Sequence, residues 1–337
     1  MLYIVMAYLW AAVLLYVLMG GADFGAGILE FFSTQKSKDK TRNVMYRAIG
    51  PVWEANHMWL IIAIVVLFVG FPVIYSTMSI HLHIPLVIML LGIIARGTAF
   101  TFRNYDAVKD RMQVIYSKTF MYSSLVTPLF LGIIAGSAVS GKIDLNATGF
   151  VEAYIFSWLG FFQVAVGVFT VTICGFLAAI YIIGETKTEA DRLRFITKAK
   201  HMSIAALIAA ALVLLAAFKD GIPLTHWLFG NPVSFTCVIL AVVSLVWMWV
   251  SLFRQSTKWL RIIAGAQITL LLVAITYEHY PVLINLKNAE GLSLLIHHGS
   301  DKSIRALAIA LLAGSVFILP ALFYLLYSFN RQEEPAA

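Results

Sequence analysis

Charged side chains are scarce in this sequence. Asp, Glu, Lys and Arg make up 12% of its 337 residues, and hydrophobic residues make up 61%. An average soluble domain has about 25% charged residues. So few charged residues cannot cover the solvent-exposed surface of a soluble protein of this length. The composition therefore predicts an integral membrane protein with no separate soluble domain.

The sequence also lacks the motifs of soluble enzymes. Its only two cysteines, Cys174 and Cys237, fall within apolar runs, where free cysteine behaves as a small hydrophobic residue. No cysteine pair has metal-binding spacing, and there is no phosphate-binding glycine loop, HExxH motif or nucleophile elbow. We therefore expect no metal site, nucleotide chemistry or soluble-type hydrolysis in this chain.

Nine apolar runs are long enough to cross a bilayer, for which about 20 residues are needed. The predicted helices cover residues 3–32, 52–75, 82–103, 118–139, 152–183, 202–218, 232–253, 260–280 and 305–329. The polar stretch after the fourth helix and the long segment before the ninth divide this all-α chain into three parts. These are a first four-helix bundle (1–140), a second four-helix bundle (141–281), and an outer segment with a peripheral ninth helix and a cytoplasmic tail (282–337).

The basic residues predict the orientation of the chain, because Lys and Arg in connections resist translocation. Most of them lie in the first, third, fifth and seventh connections. These residues are Lys36, Lys38, Lys40, Arg42 and Arg47; Arg103, Lys109, Arg111 and Lys118; Lys187, Arg192, Arg194, Lys198 and Lys200; and Arg254, Lys258 and Arg261. We expect the N-terminus outside and the C-terminus in the cytoplasm. The net charge of +7 is then explained by basic residues in cytoplasmic connections that face the anionic lipid of the inner leaflet. We therefore expect no nucleic-acid partner.

Histidine is almost absent from the predicted helices. Of eight histidines, only His57 lies within one, and the others fall in connections or at helix ends. A membrane haem needs axial His or Met ligands deep in facing helices. Because those pairs are missing, we expect the chain to bind no haem by itself.

Four ionisable side chains stand out in the first three predicted helices: Asp23, Glu54, His57 and Arg96. Ionisable groups inside a bilayer are costly, and their presence usually has a functional reason. Depth along the helices places all four near the cytoplasmic side, and the three-residue spacing of Glu54 and His57 puts these two on one helix face. We expect one site, either a static ion pair or a proton-conducting or substrate-binding site.

Glycines and tryptophans near these residues predict close contacts between helices. Gly25 and Gly27 allow a neighbouring helix to approach the first one. Trp53 and Trp59 lie away from the interfacial aromatic belts, so their indole N–H groups need a partner. We expect these four residues to face other helices, including those of a partner subunit.

Three segments in this order resemble subunit II of the bacterial cytochrome bd-type quinol oxidases. They are Asp-Phe-Gly-Ala-Gly-Ile-Leu at 23–29, Gly-Pro-Val-Trp-Glu-Ala-Asn-His-Met-Trp-Leu at 50–60, and residues 96–105. The resemblance implies two four-helix bundles plus a peripheral helix, paired with a similarly folded subunit I that carries haems b and d and oxidises quinol. Such a complex reduces dioxygen to water with protons from the cytoplasm and so generates a proton-motive force.

The resemblance also implies roles for single residues. Asp23 and Glu54 match intramembrane acids of the family, Arg96 their basic partner and Trp59 an aromatic residue near the subunit boundary, whereas His57 stands where some members have an uncharged amide. It implies a multi-pass protein of the bacterial cytoplasmic membrane with no catalytic residue of its own. Its expected contacts are the haem-bearing subunit, membrane lipid and quinol. The resemblance leaves open whether a small single-helix subunit is a further partner.

Two other classes of function stay open. One is a secondary transporter with its site at Asp23, Glu54 and Arg96, and the other is an assembly subunit without chemistry. A transporter usually has helices broken at mid-membrane in both halves. Because the ionisable residues of this chain are confined to one half, the sequence favours the oxidase subunit.

Overall fold

The computed structural model of the protein describes residues 1–34, 38, 41–46, 50, 53–105, 112–186 and 188–332. Nine helices within these residues are long and apolar enough to cross a membrane, which confirms the predicted number of spans. The first span, Leu2–Phe31, joins α1 (Leu2–Leu15), a π-helical turn (Tyr16–Gly20) and α2 (Gly21–Phe31).

The remaining elements follow in chain order. They are α3 (Trp53–Gly70), α4 (Pro72–His81), α5 (His83–Tyr105), α6 (Met112–Ser140), α7 (Phe150–Tyr154), α8 (Phe161–Ile183), α9 (Glu189–Lys219), α10 (Leu224–Phe229), α11 (Pro232–Phe253), α12 (Leu260–His279), β1 (Val282–Ile284), β2 (Leu292–Ser293) and α13 (Asp301–Gln332). The two strands pair antiparallel. The predicted outer segment therefore contains a small β-ribbon within an otherwise helical protein.

Four predicted helix boundaries were wrong by five residues or more, among them the start of the fourth span, which lies at Met112 rather than residue 118. The second span ends at Gly70, and Pro72 begins a separate helix after Phe71, whose backbone is not helical, because proline lacks the N–H that a continuing helix needs. The fifth span begins at Phe161 rather than residue 152. The sixth begins at Glu189 rather than residue 202.

The early start of α9 has a local cause. The Thr188 hydroxyl accepts a hydrogen bond from the Asp191 backbone N–H at 3.2 Å, which caps the helix. Arg192, Lys198 and the other described basic residues of this connection therefore lie on a helix. His201 lies inside the same helix, so the prediction that only His57 is within a helix was wrong.

Contacts between connections define two ends of the bundle. At one end, called here the basic end, Arg42 and Arg103 pair with Glu30, and Arg261 pairs with Glu185. At the opposite end, Lys142 pairs with Asp220 at 2.7 Å. That the basic end faces the cytoplasm stays a prediction. Some residues that carry it lie outside the described residues, namely Lys36, Lys40, Arg47, Lys109, Arg111 and Lys187.

The packing of α8 brings the two halves of the chain together. Helix α8 packs against α2, α6 and α9, and α11 packs against α12. The ninth span, α13, contacts α1 and α3. The division into two four-helix bundles at residue 140 also stays a prediction, and the α2–α8 contact crosses that boundary.

Candidate functional site

Asp23 and Arg96 form a buried ion pair between the first and third spans. Arg96 Nη1 donates to Asp23 Oδ2 at 2.7 Å, and Arg96 Nη2 donates to Oδ1 at 2.8 Å. Arg96 also donates from Nη2 to the Asp23 carbonyl and from Nε to the Ser124 hydroxyl on α6. The two side chains are 1% and 0% exposed. This arrangement meets the requirement that a buried charge be both paired and hydrogen-bonded.

Aromatic rings enclose the guanidinium of Arg96. Its central carbon lies 5.1 Å from the ring centroid of Phe24 and 4.8 Å from that of Phe120. Cation–π attraction is strongest where water is excluded. The rings therefore add to the hydrogen bonds in fixing Arg96 among the first, third and fourth spans.

His57 lies beside this ion pair. Its Nε2 is 3.5 Å from Asp23 Oδ2, and its side chain is 17% exposed. The imidazole packs among the rings of Tyr16, Phe24 and Trp53, with centroid distances of 6.2, 5.7 and 6.4 Å. One nitrogen therefore faces the carboxylate while aromatic rings surround the imidazole.

Several buried polar atoms of the first and second spans have no hydrogen-bond partner within the described part of the chain. They are Tyr16 Oη, Asn56 Oδ1, His57 Nδ1 and Trp59 Nε1. Tyr16 belongs to the π-helical turn of the first span, a feature often found at functional sites. Unpaired polar groups are costly at membrane depth, so their grouping beside a buried ion pair marks this region as more than apolar packing.

A second buried group lies nearer the basic end and is centred on Glu30, which is 1% exposed. Arg42 donates to Glu30 Oε1 from Nε at 3.0 Å and from Nη2 at 2.9 Å. Arg103 Nη1 donates to Glu30 Oε2 at 2.9 Å. Both carboxylate oxygens of Glu30 are therefore held by guanidinium groups.

Phe120 connects the two groups. The Arg103 guanidinium carbon lies 4.1 Å from the centroid of the same Phe120 ring that Arg96 contacts. Asp23 and Glu30 are seven residues apart on the first span, and Arg96 and Arg103 are seven apart on the third. Seven residues of helix rise about 10.5 Å. The two ion pairs therefore lie one above the other along two spans that run in the same direction.

Comparison with known proteins identifies the family. Residues 1–329 match the family model of cytochrome bd terminal oxidase subunit II. The chain belongs to this family. It is a subunit of an oxidoreductase complex and a multi-pass protein of the bacterial cytoplasmic membrane. The match gives no support to the secondary-transporter alternative.

Individual relatives agree with the family match. Cytochrome bd ubiquinol oxidase subunit 2 of Bacillus subtilis strain 168 is 24% identical over 93% of this chain and 90% of its own length. Cytochrome bd-I ubiquinol oxidase subunit 2 of Escherichia coli K12 is 26% identical over 64% of this chain and 56% of its own length. A chain of the bd oxidase structure from Geobacillus thermodenitrificans has the same fold, with a TM-score of 0.78, 19% identity and coverage of 97% and 98%.

Subunit II brings together three of its four predicted ionisable residues, Asp23, His57 and Arg96. Glu54 lies in the first turn of α3 with an exposed side chain. Within the described residues it forms no ion pair. It lies three residues before His57, towards the basic end, and is separate from the Asp23–Arg96 pair.

Gly25 and Gly27 lie inside subunit II. A Cβ atom on Gly25 would overlap the Cys174 carbonyl of α8, and one on Gly27 would overlap the Ser124 hydroxyl of α6. Both glycines are buried by helices of this same chain, and a contact of these residues with a partner subunit stays a prediction. Trp59 is also buried, whereas Trp53 is partly exposed.

The Glu30 group and the role of the Ser124 hydroxyl were not predicted from the sequence. Glu30 lies near the end of the first predicted helix, 3–32, and Arg103 is among the basic residues of the third connection. The available signal was the equal spacing of two acids on the first span and two arginines on the third. Equal spacing on helices that run in the same direction allows both pairs to form at once.

Proposed function

We propose that subunit II contributes a proton path that begins at the basic end and passes His57. In this path His57 takes up and releases the proton, and the Asp23–Arg96 ion pair holds its imidazole in place. The observation that carries the proposal is the position of His57, with Nε2 3.5 Å from Asp23 Oδ2 and a buried Nδ1 without a partner in the described residues. An imidazole can accept a proton at one nitrogen and release one from the other.

Asp23 is better suited to anchor the path than to carry protons. Both of its carboxylate oxygens accept hydrogen bonds from Arg96, and arginine stays charged in proteins. A carboxylate held in this way keeps its negative charge and orients the neighbouring imidazole.

The surroundings of His57 provide both ends of such a path. Glu54 is exposed one helical turn towards the basic end, where it can collect protons from the aqueous side. Beyond His57, the oxygen of Tyr16, which has no partner among the described residues, provides a hydrogen-bonding group for bridging water. We assign the basic end to the cytoplasm, because Lys and Arg favour that side.

We further propose that the haems and the site of quinol oxidation belong to the partner subunit I. Haem supplies the electron-transfer and oxygen-reducing chemistry of such a complex. His57 does not fit haem ligation, because its Nε2 faces the Asp23 carboxylate and rings of Tyr16, Phe24 and Trp53 surround its imidazole. A quinol is the proposed reductant, since relatives are named as ubiquinol and menaquinol oxidase subunits.

The first test uses His57→Gln in the purified complex reconstituted into vesicles. Glutamine keeps a hydrogen-bonding side chain but does not titrate, so oxygen consumption and proton uptake should fall roughly tenfold or more while haem content stays unchanged. Glu54→Gln should give a smaller loss, because other exposed groups can replace an entry residue. His226→Gln is the matched control, because the His226 side chain is 70% exposed at the opposite end. Normal rates in His57→Gln would leave this group with a purely structural role.

The second test concerns haem content. We expect the chain expressed alone to bind no haem and the co-purified complex to show b- and d-type bands in its reduced-minus-oxidised spectrum. Stoichiometric haem in the isolated chain would overturn the assignment of the haems to the partner.

A further inference from the structure

A cavity of about 620 Å³ opens near the basic end between α2, α6, α8 and α9. Apolar side chains form most of its walls, among them Leu29, Leu125, Val168 and Met202. We call it the α9 groove. Its volume is within the range of small-molecule binding sites. The α9 groove lies apart from the Asp23–Arg96 pair and has no part in the proton path.

Lys198 is a cation at the mouth of the α9 groove. Its Nζ donates to the Ser33 and Thr41 hydroxyls at 2.5 and 3.0 Å and lies 3.5 Å from the Leu29 carbonyl. All three acceptors are neutral. Among the described residues no carboxylate lies within ion-pair distance of Lys198, so within this part of the chain its charge is hydrogen-bonded but has no ion-pair partner.

Two described acids, one on α9 and one on α2, already have ion-pair partners. Asp191 pairs with Arg194 at 3.1 Å, and Glu30 is held by Arg42 and Arg103. A partly buried cation without a counter-charge favours an anion from outside the chain. The exposed His201, which also lines the α9 groove, provides a second polar group for it.

The position of Lys198 along α9 indicates the source of that anion. Between Lys200 and Lys219 this helix carries no Asp, Glu, Lys or Arg, and an apolar run extends from Met202 to Phe218. Lys198 therefore lies at the depth of lipid headgroups, while Met202 and Ala205, which line the same groove, lie level with acyl chains. Basic groups at this depth attract anionic lipids.

We propose that the α9 groove binds one anionic phospholipid, with its phosphate at Lys198 and His201 and an acyl chain along Met202 and Ala205. The positive charge of Lys198 favours an anionic headgroup, and the apolar walls of the groove favour an acyl chain. A free anion would use only the mouth of the groove, and a neutral lipid only its walls.

The test measures lipid bound to the purified complex in nanodiscs with equal amounts of phosphatidylglycerol and phosphatidylcholine, by native mass spectrometry. The wild-type complex should retain phosphatidylglycerol in preference. Lys198→Gln should weaken that retention roughly fivefold, the effect of one basic group at a membrane surface. Lys258→Gln removes an exposed lysine elsewhere at the basic end and should change nothing.

A second pair of variants tests the acyl chain. Ala205→Phe fills the groove while leaving Lys198 in place and should also reduce phosphatidylglycerol retention. Its control is Ile208→Phe, on the same helix but 58% exposed and outside the groove. Equal retention of the two lipids by the wild-type complex would overturn the proposal. So would normal retention in Ala205→Phe, which would indicate an anion site without a lipid groove.

Discussion

Arg96→Met tests how much the fold depends on the buried ion pair. Methionine replaces the apolar stem of arginine but removes the guanidinium. The variant loses both hydrogen bonds to the Asp23 carboxylate, the bond to the Asp23 carbonyl and the bond to Ser124. Among the described residues, the Asp23 carboxylate, with no exposed surface, then keeps only His57 at 3.5 Å as an ion-pair partner.

The expected cost follows from that uncompensated charge. Removing one partner of a buried ion pair destabilises a protein by about 3–5 kcal/mol. The double variant Asp23→Asn/Arg96→Met has no buried charge at this position, so it should recover more than half of the loss. The remainder is the cost of the lost hydrogen bonds and aromatic contacts.

The assay compares the yield of assembled complex and its thermal midpoint in detergent for both single variants and the double variant. Arg261→Met is the matched control, because Arg261 pairs with Glu185 but its side chain is 45% exposed, and an exposed pair contributes under about 1 kcal/mol. A double variant no more stable than Arg96→Met would refute the reasoning, because the cost would then lie in lost contacts instead of an unpaired charge.

Two further predictions concern packing and acid stability. Gly25→Ala should deplete the complex, because a Cβ there overlaps the Cys174 carbonyl, whereas Gly265→Ala meets its nearest atom at 3.8 Å and should assemble normally; equal yields would contradict the packing. Burial raises the pKa of Asp220, but hydrogen bonds from Lys142 and a backbone N–H outweigh burial and lower it. The stabilisation is therefore present above the unfolded pKa of the carboxyl and lost as pH falls through the folded pKa. Thermal midpoints of Asp220→Asn should fall less in acid than those of wild type, and parallel profiles would contradict this.

The number and order of the membrane spans were predictable from the sequence, because the mean hydropathy of a membrane-length segment depends on its composition and not on the exact position of each residue. Nine runs were predicted, and nine spans are present within the described residues. The ends were less predictable, because a helix continues beyond its apolar part wherever capping allows it. Helix α9 begins at Glu189 on the Thr188 cap, although its apolar run begins at Met202.

The candidate site was predictable in part for a related reason. Depth along each span indicated that Asp23 and Arg96 lie at the same level, and the structure pairs them. Depth does not give the rotation of a helix about its axis. For that reason Glu54 and His57, three residues apart, were both expected at the ion pair, whereas the structure places His57 there and leaves Glu54 exposed.

The two buried ion pairs share a spacing but differ in what surrounds them. Both oxygens of Glu30 are held by two arginines, and no histidine is paired with it among the described residues. Asp23 has one arginine and, 3.5 Å away, a histidine whose second nitrogen is buried without a partner. A carboxylate held between two permanent cations fixes helices in place, whereas one beside an imidazole can support a change of protonation. The Glu30 group is therefore suited to anchoring the first and third spans, and the Asp23 group alone has the neighbours that proton transfer requires.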